Sequence, residues 1–425
     1  MTKGALSGLR VLDLSRILAG PSCTQLLGDL GAEVWKVERP ARGDDTRAWG
    51  PPFARAKDAE ADDAEADAEA MDAEESAYFL CANRNKRSLT IDFTTDAGRE
   101  LVRRLSLEAD VLVENYRVGT LAKHGLDFAS LHAIHPRLVY VSITGFGQTG
   151  ARREEPGYDF LAQALGGIMS LTGPEEGPPY KVGVGIADQM CGMYATVGLL
   201  AALRHRDRAG VGQHVDVSLL DTQVAWLANA GVATLMTGHA PPRLGNGHPH
   251  IVPYDVFACA DGHLVIAVGN DAQLARLARV LDADWAEDPR FSTNRARVEH
   301  RDAMTAAIEA RTRTWSRDQL VDALGRVAVP AGPVRELPEV LDDPHLRERG
   351  ARVRVTHETL GELELLGNPL HLSETPWSAR RAPPPLGAHT YEVLREVLGL
   401  HDEALVDAAR RGAFGDEKRG REAGR

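Results

Sequence analysis

With 425 residues the chain exceeds the ~250–300 at which a single core stops growing, which predicts two domains, or one with a large insertion, and excludes a lone binding module. Hydrophobic residues make up 43% and charged ones 26%, a globular balance that excludes fibrous architecture and wholesale disorder. The net charge of −12 argues against a nucleic-acid coat or an anionic membrane partner, and ten of the acids sit between Asp58 and Glu75 with no base among them, leaving the remainder close to neutral.

In chain order, Leu9–Leu14 is short and apolar and reads as a strand. It leads through a turn into a helix-like stretch, Ser22 to Leu30, with Pro21 in the first turn. GAEVWKVE, SLTIDF, ADVLVEN and RLVYVSITGFG read as further strands, with a helix from Asp96 to Ser106. Strands alternating with helices predict a parallel α/β sheet with right-handed crossovers. Residues 55–76 interrupt this pattern as an alanine and acid tract without an apolar face, expected to be a surface insertion with no catalytic role. A helix-rich stretch follows, then the strand HVDVS, one long apolar helix from Leu219 to Thr237, and a turn-rich loop, HAPPRLGNGHPH. A smaller α+β unit comes next, and ARVRVTHETLGELELLGNP predicts a hairpin after the chain returns. The expected division is 1–218, 219–330 and 331–425.

The four cysteines, Cys23, Cys81, Cys191 and Cys259, are too widely spaced for a zinc knuckle or a redox pair. With an N-terminus lacking the apolar region of a signal peptide and no apolar run near ~18 residues, the expectation is a metal-free cytoplasmic protein without a membrane partner.

The first βα turn, LSRILAGPSC, carries no GxGxxG, and the chain has neither a P-loop nor a GxSxG elbow. Asp188 is more informative, because the glycine-rich KVGVGIADQ delivers one carboxylate to the start of a long apolar helix. Two readings stand: a helix N-cap, or a carboxylate nucleophile kept ionised by that helix terminus.

VLDLSRILAGP, KVERPARGD, ANRNKRSLTIDF, DVLVENYRVGTLAKHGLD, RLVYVSITGFGQTG, GYDFLAQALGGIMSLTG, the Asp188 segment, GVGQHVDVSLLDTQ and RAPPPLGAHTYEVL occur in this order along nearly the whole chain. Together they resemble the class III coenzyme A transferases. The resemblance implies a large Rossmann-like domain built from both chain ends, a smaller α+β domain, and an interlocked ring-like homodimer. It implies coenzyme A contacts at Leu18, Ala19, Arg39, Ile91, Thr94, Asn115, Tyr116, Arg117, Lys123 and Tyr158, with Asp188 as nucleophile. Lys123 replaces an arginine of formyl-CoA transferase, keeping charge but losing bidentate phosphate binding. Tyr158 stands where the racemases of this fold carry a histidine, which disfavours an isomerase; a non-catalytic acyl-CoA-binding relative is the other alternative, disfavoured by Asp188.

The implied chemistry is coenzyme A transfer from an acyl-CoA donor to a carboxylic acid acceptor through an aspartyl-CoA thioester, without metal. The segment Gly245-Asn246-Gly247 with His248 is expected to cover the site. Resemblance to the succinate–hydroxymethylglutarate branch implies dicarboxylic acyl groups, and Arg243, otherwise a surface base, is the candidate for reading a distal carboxylate.

Overall fold

The structure is a computed structural model that describes residues 4–56, 74–285 and 287–415. Its main sheet contains β1 (Arg10–Asp13), β2 (Glu33–Glu38), β3 (Lys86–Thr90), β4 (Val111–Glu114), β5 (Val139–Thr144) and β6 (His214–Ser218). The spatial order is 3-2-1-4-5-6, and every pair is parallel. This is the doubly wound order of the Rossmann fold, and its direction reverses between β1 and β4.

The apolar strand runs follow from burial on both faces. Leu12, Trp35, Leu89, Leu112 and Tyr140 face one core, together with helix α2 (Asp96–Glu108) and Val393 and Leu394 of the C-terminal helix Thr390–Leu398. Their neighbours Val11, Val34, Val111 and Val139 face the other core, with α1 (Ala19–Asp29) and α5 (Ile186–Ala209). Two shorter helices, α3 (Phe128–Ile134) and α4 (Asp159–Leu165), complete the crossovers used below.

Two compact units result. The larger takes residues 1–167, 182–228 and 344–425, and the smaller takes 168–181 and 229–343. The smaller sheet pairs Gly262–Ala267 with Tyr254–Cys259 and with Ala331–Pro333. Because the last of these strands is hydrogen-bonded into it, the chain leaves this unit only after that strand. The hairpin Arg352–His357 with Gly361–Leu366 forms as expected.

Three expectations change. The apolar helix expected over 219–237 is two helices, Leu219–Ala225 and Ala228–Thr237; Ala228 at φ +46° breaks it. By length and composition α5 is able to span a bilayer, with a mean hydropathy of 1.3 over its most apolar window, because helix hydropathy averages over scattered polar residues that interrupt any continuous run. Half of that window is buried inside the protein, as in a core helix. Of the acidic tract, residues 57–73 lie outside the described residues. Its base is ordered: Phe53–Ala54 pairs antiparallel with Glu75–Ser76.

Candidate active site

The strand reversal opens a crevice at the carboxyl ends of β1 and β4, where open parallel sheets bind ligands. The turn after β1 is held there from several sides. Asn115, just past β4, accepts from the Arg16 N–H at 2.8 Å and donates to the Arg16 carbonyl at 2.6 Å. The Ile17 N–H donates to Asp44. Ile17 itself sits at φ +72°, a left-handed conformation that costs a β-branched residue about 1–3 kcal/mol and persists only when its surroundings over-determine it.

Those surroundings are a buried charge network. Asp13 accepts from Ser15 and Thr24 and pairs with Lys86 at 3.1 Å; Lys36 pairs with Asp44 at 2.9 Å and donates to the Ser15 carbonyl. Burial would raise Asp13, but Lys86 and Lys36 hold it below its usual value. Against the same burial, Lys36 and backbone N–H groups bring Asp44 down to about 2. Above the turn, Arg16 and Arg39 both bind Asp45, and the Arg16 guanidinium lies 5.2 Å over the Tyr116 ring. Two cations on one carboxylate leave net positive charge at the crevice mouth, and the buried Arg16 Nε has no hydrogen-bond partner.

Asp188 lies at the start of α5, which packs on α1. A Cβ on Gly192 would stand 2.6 Å from the Ala19 carbonyl, and one on Gly185 would stand 3.2 Å from Leu18. These two glycines therefore let α5 begin against the first βα turn. Asp188 is not the N-cap. That position is Gly185, and the carboxylate serving the helix terminus is Asp159 of α4, which accepts from the Ala187 N–H at 2.7 Å and the Asp188 N–H at 3.3 Å. Gln163 holds the other Asp159 oxygen at 2.7 Å. The Asp188 carboxylate has no hydrogen bond or ion pair among the described residues. Burial, and then the charge of Asp159, push it up to about 7. The expectation that the helix terminus keeps Asp188 ionised is thus corrected, since Asp159 takes those donors.

Leu18 and Ala19 are buried. Ile91 belongs to the core, whereas Thr94 is exposed with its hydroxyl on Asp92. Tyr116 is half-buried between Arg16 and Phe93. Arg117 and Lys123 are exposed, and Tyr158 is exposed immediately before α4. These positions all belong to the larger unit, with Ile91 in its core.

Arg243 and the segment Gly245–His248 belong to the smaller unit. There Arg243 donates to the carbonyls of Pro174, Glu175 and Gly177, so its guanidinium pins a loop. Gly245 adopts φ +58°, Gly247 leaves room for Arg301, and the His248 ring lies 5.2 Å from Tyr254.

Sequence reasoning missed several residues of the site. Asp159 adjoins Tyr158, yet its signal, an acid beginning a short helix, is ordinary. Arg16 and Asp45 were hidden by the turn geometry. Tyr78, whose hydroxyl burial and the nearby Asp188 charge hold above its usual value, packs edge-on against Trp49 at 5.1 Å; both flank the unusual tract and carry no motif.

A sequence model of CoA-transferase family III matches residues 6–390. The chain belongs to that family. It is 45% identical over 396 residues to succinate–glutarate CoA-transferase of Agrobacterium fabrum, covering 93% of this chain and 96% of that protein. It is 38% identical to succinyl-CoA:glutarate CoA-transferase of Mus musculus, covering 95% and 88%. Among solved structures, a CAIB/BAIF family protein from Brucella suis superposes with a TM-score of 0.83 at 43% identity, covering 93% of this chain and all of that one.

This CoA-transferase moves coenzyme A between carboxylic acids, so its substrates are a CoA thioester and a carboxylate. Such an exchange replaces one thioester by another, and is therefore close to thermoneutral. The transferase needs from its fold a nucleophile shielded from water and an anchor for a phosphorylated carrier.

Proposed function

We propose that Asp188 is the nucleophile of this CoA-transferase and that coenzyme A lies along the carboxyl edge of the main sheet. The observation that carries this reading is the unpartnered Asp188 carboxylate at the start of α5 beside the first βα turn. Its oxygen attacks the donor thioester carbonyl, expelling CoA thiolate and forming a mixed anhydride. The thiolate attacks the aspartyl carbonyl of that anhydride, releasing the donor acid and leaving an aspartyl-CoA thioester. The acceptor carboxylate then runs both steps in reverse. The cationic mouth at Arg16 and Arg39, with exposed Arg117 and Lys123, suits the phosphates.

The relatives named for succinate, succinyl-CoA and glutarate support dicarboxylic acyl groups for this chain as well. A homodimer is supported by the apolar side chains Tyr158, Phe160, Met193, Tyr194, Val197 and Trp226, all exposed on the larger unit, since a monomer rarely displays so much apolar surface. The free cysteines, including buried Cys23 and Cys191, support a reducing, cytoplasmic setting. The test is turnover of succinyl-CoA with glutarate followed by borohydride trapping and mass spectrometry: label on Asp188 is expected, and label elsewhere overturns the assignment.

A further inference from the structure

The run that leads into the nucleophile's helix, Val182 to Gly185, begins where the chain re-enters the larger unit, since residues 168–181 belong to the smaller one. Gly183 and Gly185 make such a run costly to hold in one conformation. Within it the Ile186 N–H donates to the Val184 carbonyl at 2.8 Å, a bond too local to fix where the run lies. Its two ends are tied to α4.

Both ties pass through Gln163. Its side chain is fully buried, at 0% exposed, and it stands four residues after Asp159, on the same face of α4. Its carbonyl oxygen accepts from the Val182 N–H at 2.9 Å, and its amide nitrogen donates to Asp159 Oδ2 at 2.7 Å. The partners fix the orientation of the amide, because an N–H needs the oxygen and a carboxylate needs the donor. With Oδ2 held in this way, Oδ1 is left for the N–H groups of Ala187 and Asp188. One amide thus clamps the run at Val182 and, through Asp159, at the first turn of α5. A glutamate would keep the acceptor and lose the donor when ionised, and a methionine would keep the length and lose both.

We propose that Gln163 is a positioning residue for the transfer reaction: by holding Val182 and the Asp159 carboxylate at once, it fixes the direction from which the Asp188 carboxylate meets the thioester carbonyl. This rests on reading Asp188 as the nucleophile. Gln163 is buried behind that carboxylate's helix turn, so its loss falls on the rate of attack and leaves the affinity for the thioester in place. A nucleophile misplaced by about 1 Å reacts on the order of 10²-fold more slowly.

The experiment is pre-steady-state formation of the aspartyl-CoA thioester by the full chain at pH 8, over a range of succinyl-CoA concentrations, read by mass spectrometry with Asp188→Asn alongside. Gln163→Met should slow the limiting rate about 10- to 100-fold, while the concentration giving half of that rate stays within about twofold of wild type. Gln163→Glu should show the same split, and it carries the test if the methionine variant does not fold. A clamp needs both ends, so once Asp159→Ala has opened one, adding Gln163→Met should slow the reaction by less than about threefold more. A folded Gln163 variant with the wild-type limiting rate, a loss that falls on the half-maximal concentration instead, or full multiplication of the two losses in the double variant overturns the proposal while Asp188→Asn stays inactive. An Asp188→Asn chain that transfers coenzyme A at the wild-type rate overturns the nucleophile reading and this proposal with it.

Discussion

Two groups of carboxylates, buried or half-buried, differ in what faces them. Under the first βα turn, Asp13, Glu38 and Asp44 each meet a cation, Lys86, Arg47 and Lys36 respectively, and all three are held below their usual values despite burial. Toward β4 and α5, Asp188 and Glu114 meet none among the described residues, and both rise to about 7. Asp188 is half-buried and the other four are buried, and among these five groups a facing cation is what holds the value down. The paired set fixes backbone, including the strained Ile17. The unpaired set exchanges protons near neutrality, which fits groups that react rather than brace.

The largest expected effect comes from the unpaired side. Asp188→Asn should abolish coenzyme A transfer, measured by mass spectrometry of the product thioesters, and should also make the protein more stable. The sign follows from linkage. A folded-state value of about 7 against the ordinary 3.8 means the native chain binds more protons than the unfolded chain between those values, so stability falls as pH rises through that window. Removing the group removes this loss, so the variant's Tm should exceed that of wild type by a margin that grows up to about pH 8, where it is worth about 1–3 kcal/mol. A variant less stable than wild type at pH 8 breaks the comparison.

On the paired side, Lys36→Met should cost about 3–5 kcal/mol in denaturant unfolding, because it strands Asp44 and Asp13 without their shared cation. Asp44 contributes stability present above 3.8 and lost only as pH falls through about 2, and Lys36, raised above 10.5, keeps its contribution below that value. Wild-type stability should therefore carry no titration of this pair from about pH 5 to 9, whereas in the variant the buried Asp44, without its cation, rises and takes up a proton at the acidic end, so the penalty should shrink as pH falls from about 9 toward 5. A penalty independent of pH in that range would mean that Asp44 stays charged without Lys36.

A smaller effect separates charge from capping at Asp159. Asp159→Asn keeps an oxygen for the Ala187 N–H and removes the like charge, so the acidic limb of kcat/KM should move down by roughly half to one pH unit. Asp159→Ala should instead lose the acceptor and about 1 kcal/mol of stability. An unmoved limb in the asparagine variant would assign the rise of Asp188 to burial alone.

The apolar strand runs made the parallel sheet legible in the sequence, because burial on both faces leaves an unmistakable pattern, and ordered family motifs carried the site residues. Local spacing was a poorer guide. From spacing alone, Asp188 reads first as a cap, and only tertiary structure brings Asp159 from another helix to fill that role. Arg243 reads as a free cation until three carbonyls are seen around it. Glu114 looks like the polar end of a strand, since nothing along the chain tells that Ser142 and His214 stand beside it. What sequence conceals here is partnership between distant charges, and partnership is what sets their chemistry.

The smallest effect tests where the acidic tract ends. Arg47 binds both Glu38 and Glu75, the latter at 2.5 Å, and its guanidinium lies 3.6 Å over the Phe79 ring. Glu75 is therefore ion-paired like the first group although its composition assigns it to the tract, but burial and the Glu38 charge outweigh the guanidinium and push it up to about 7. Deleting residues 58–73 leaves Arg55, Ala56, Lys57 and Glu74 between the paired segments Phe53–Ala54 and Glu75–Ser76, a four-residue connection of a length common in hairpins. Shortening a loop returns closure entropy on the order of 0.6 kcal/mol per halving, and the removed residues offer no apolar face to a core. Transfer activity should stay within about twofold of wild type and Tm should hold or rise slightly. Extending the deletion through Glu75 should lower Tm, because it unpairs Arg47 and removes half of the two-residue strand. Equal behaviour of the two deletions would place Glu75 outside the paired set, and loss of activity in the shorter one would make the tract part of the catalytic machinery.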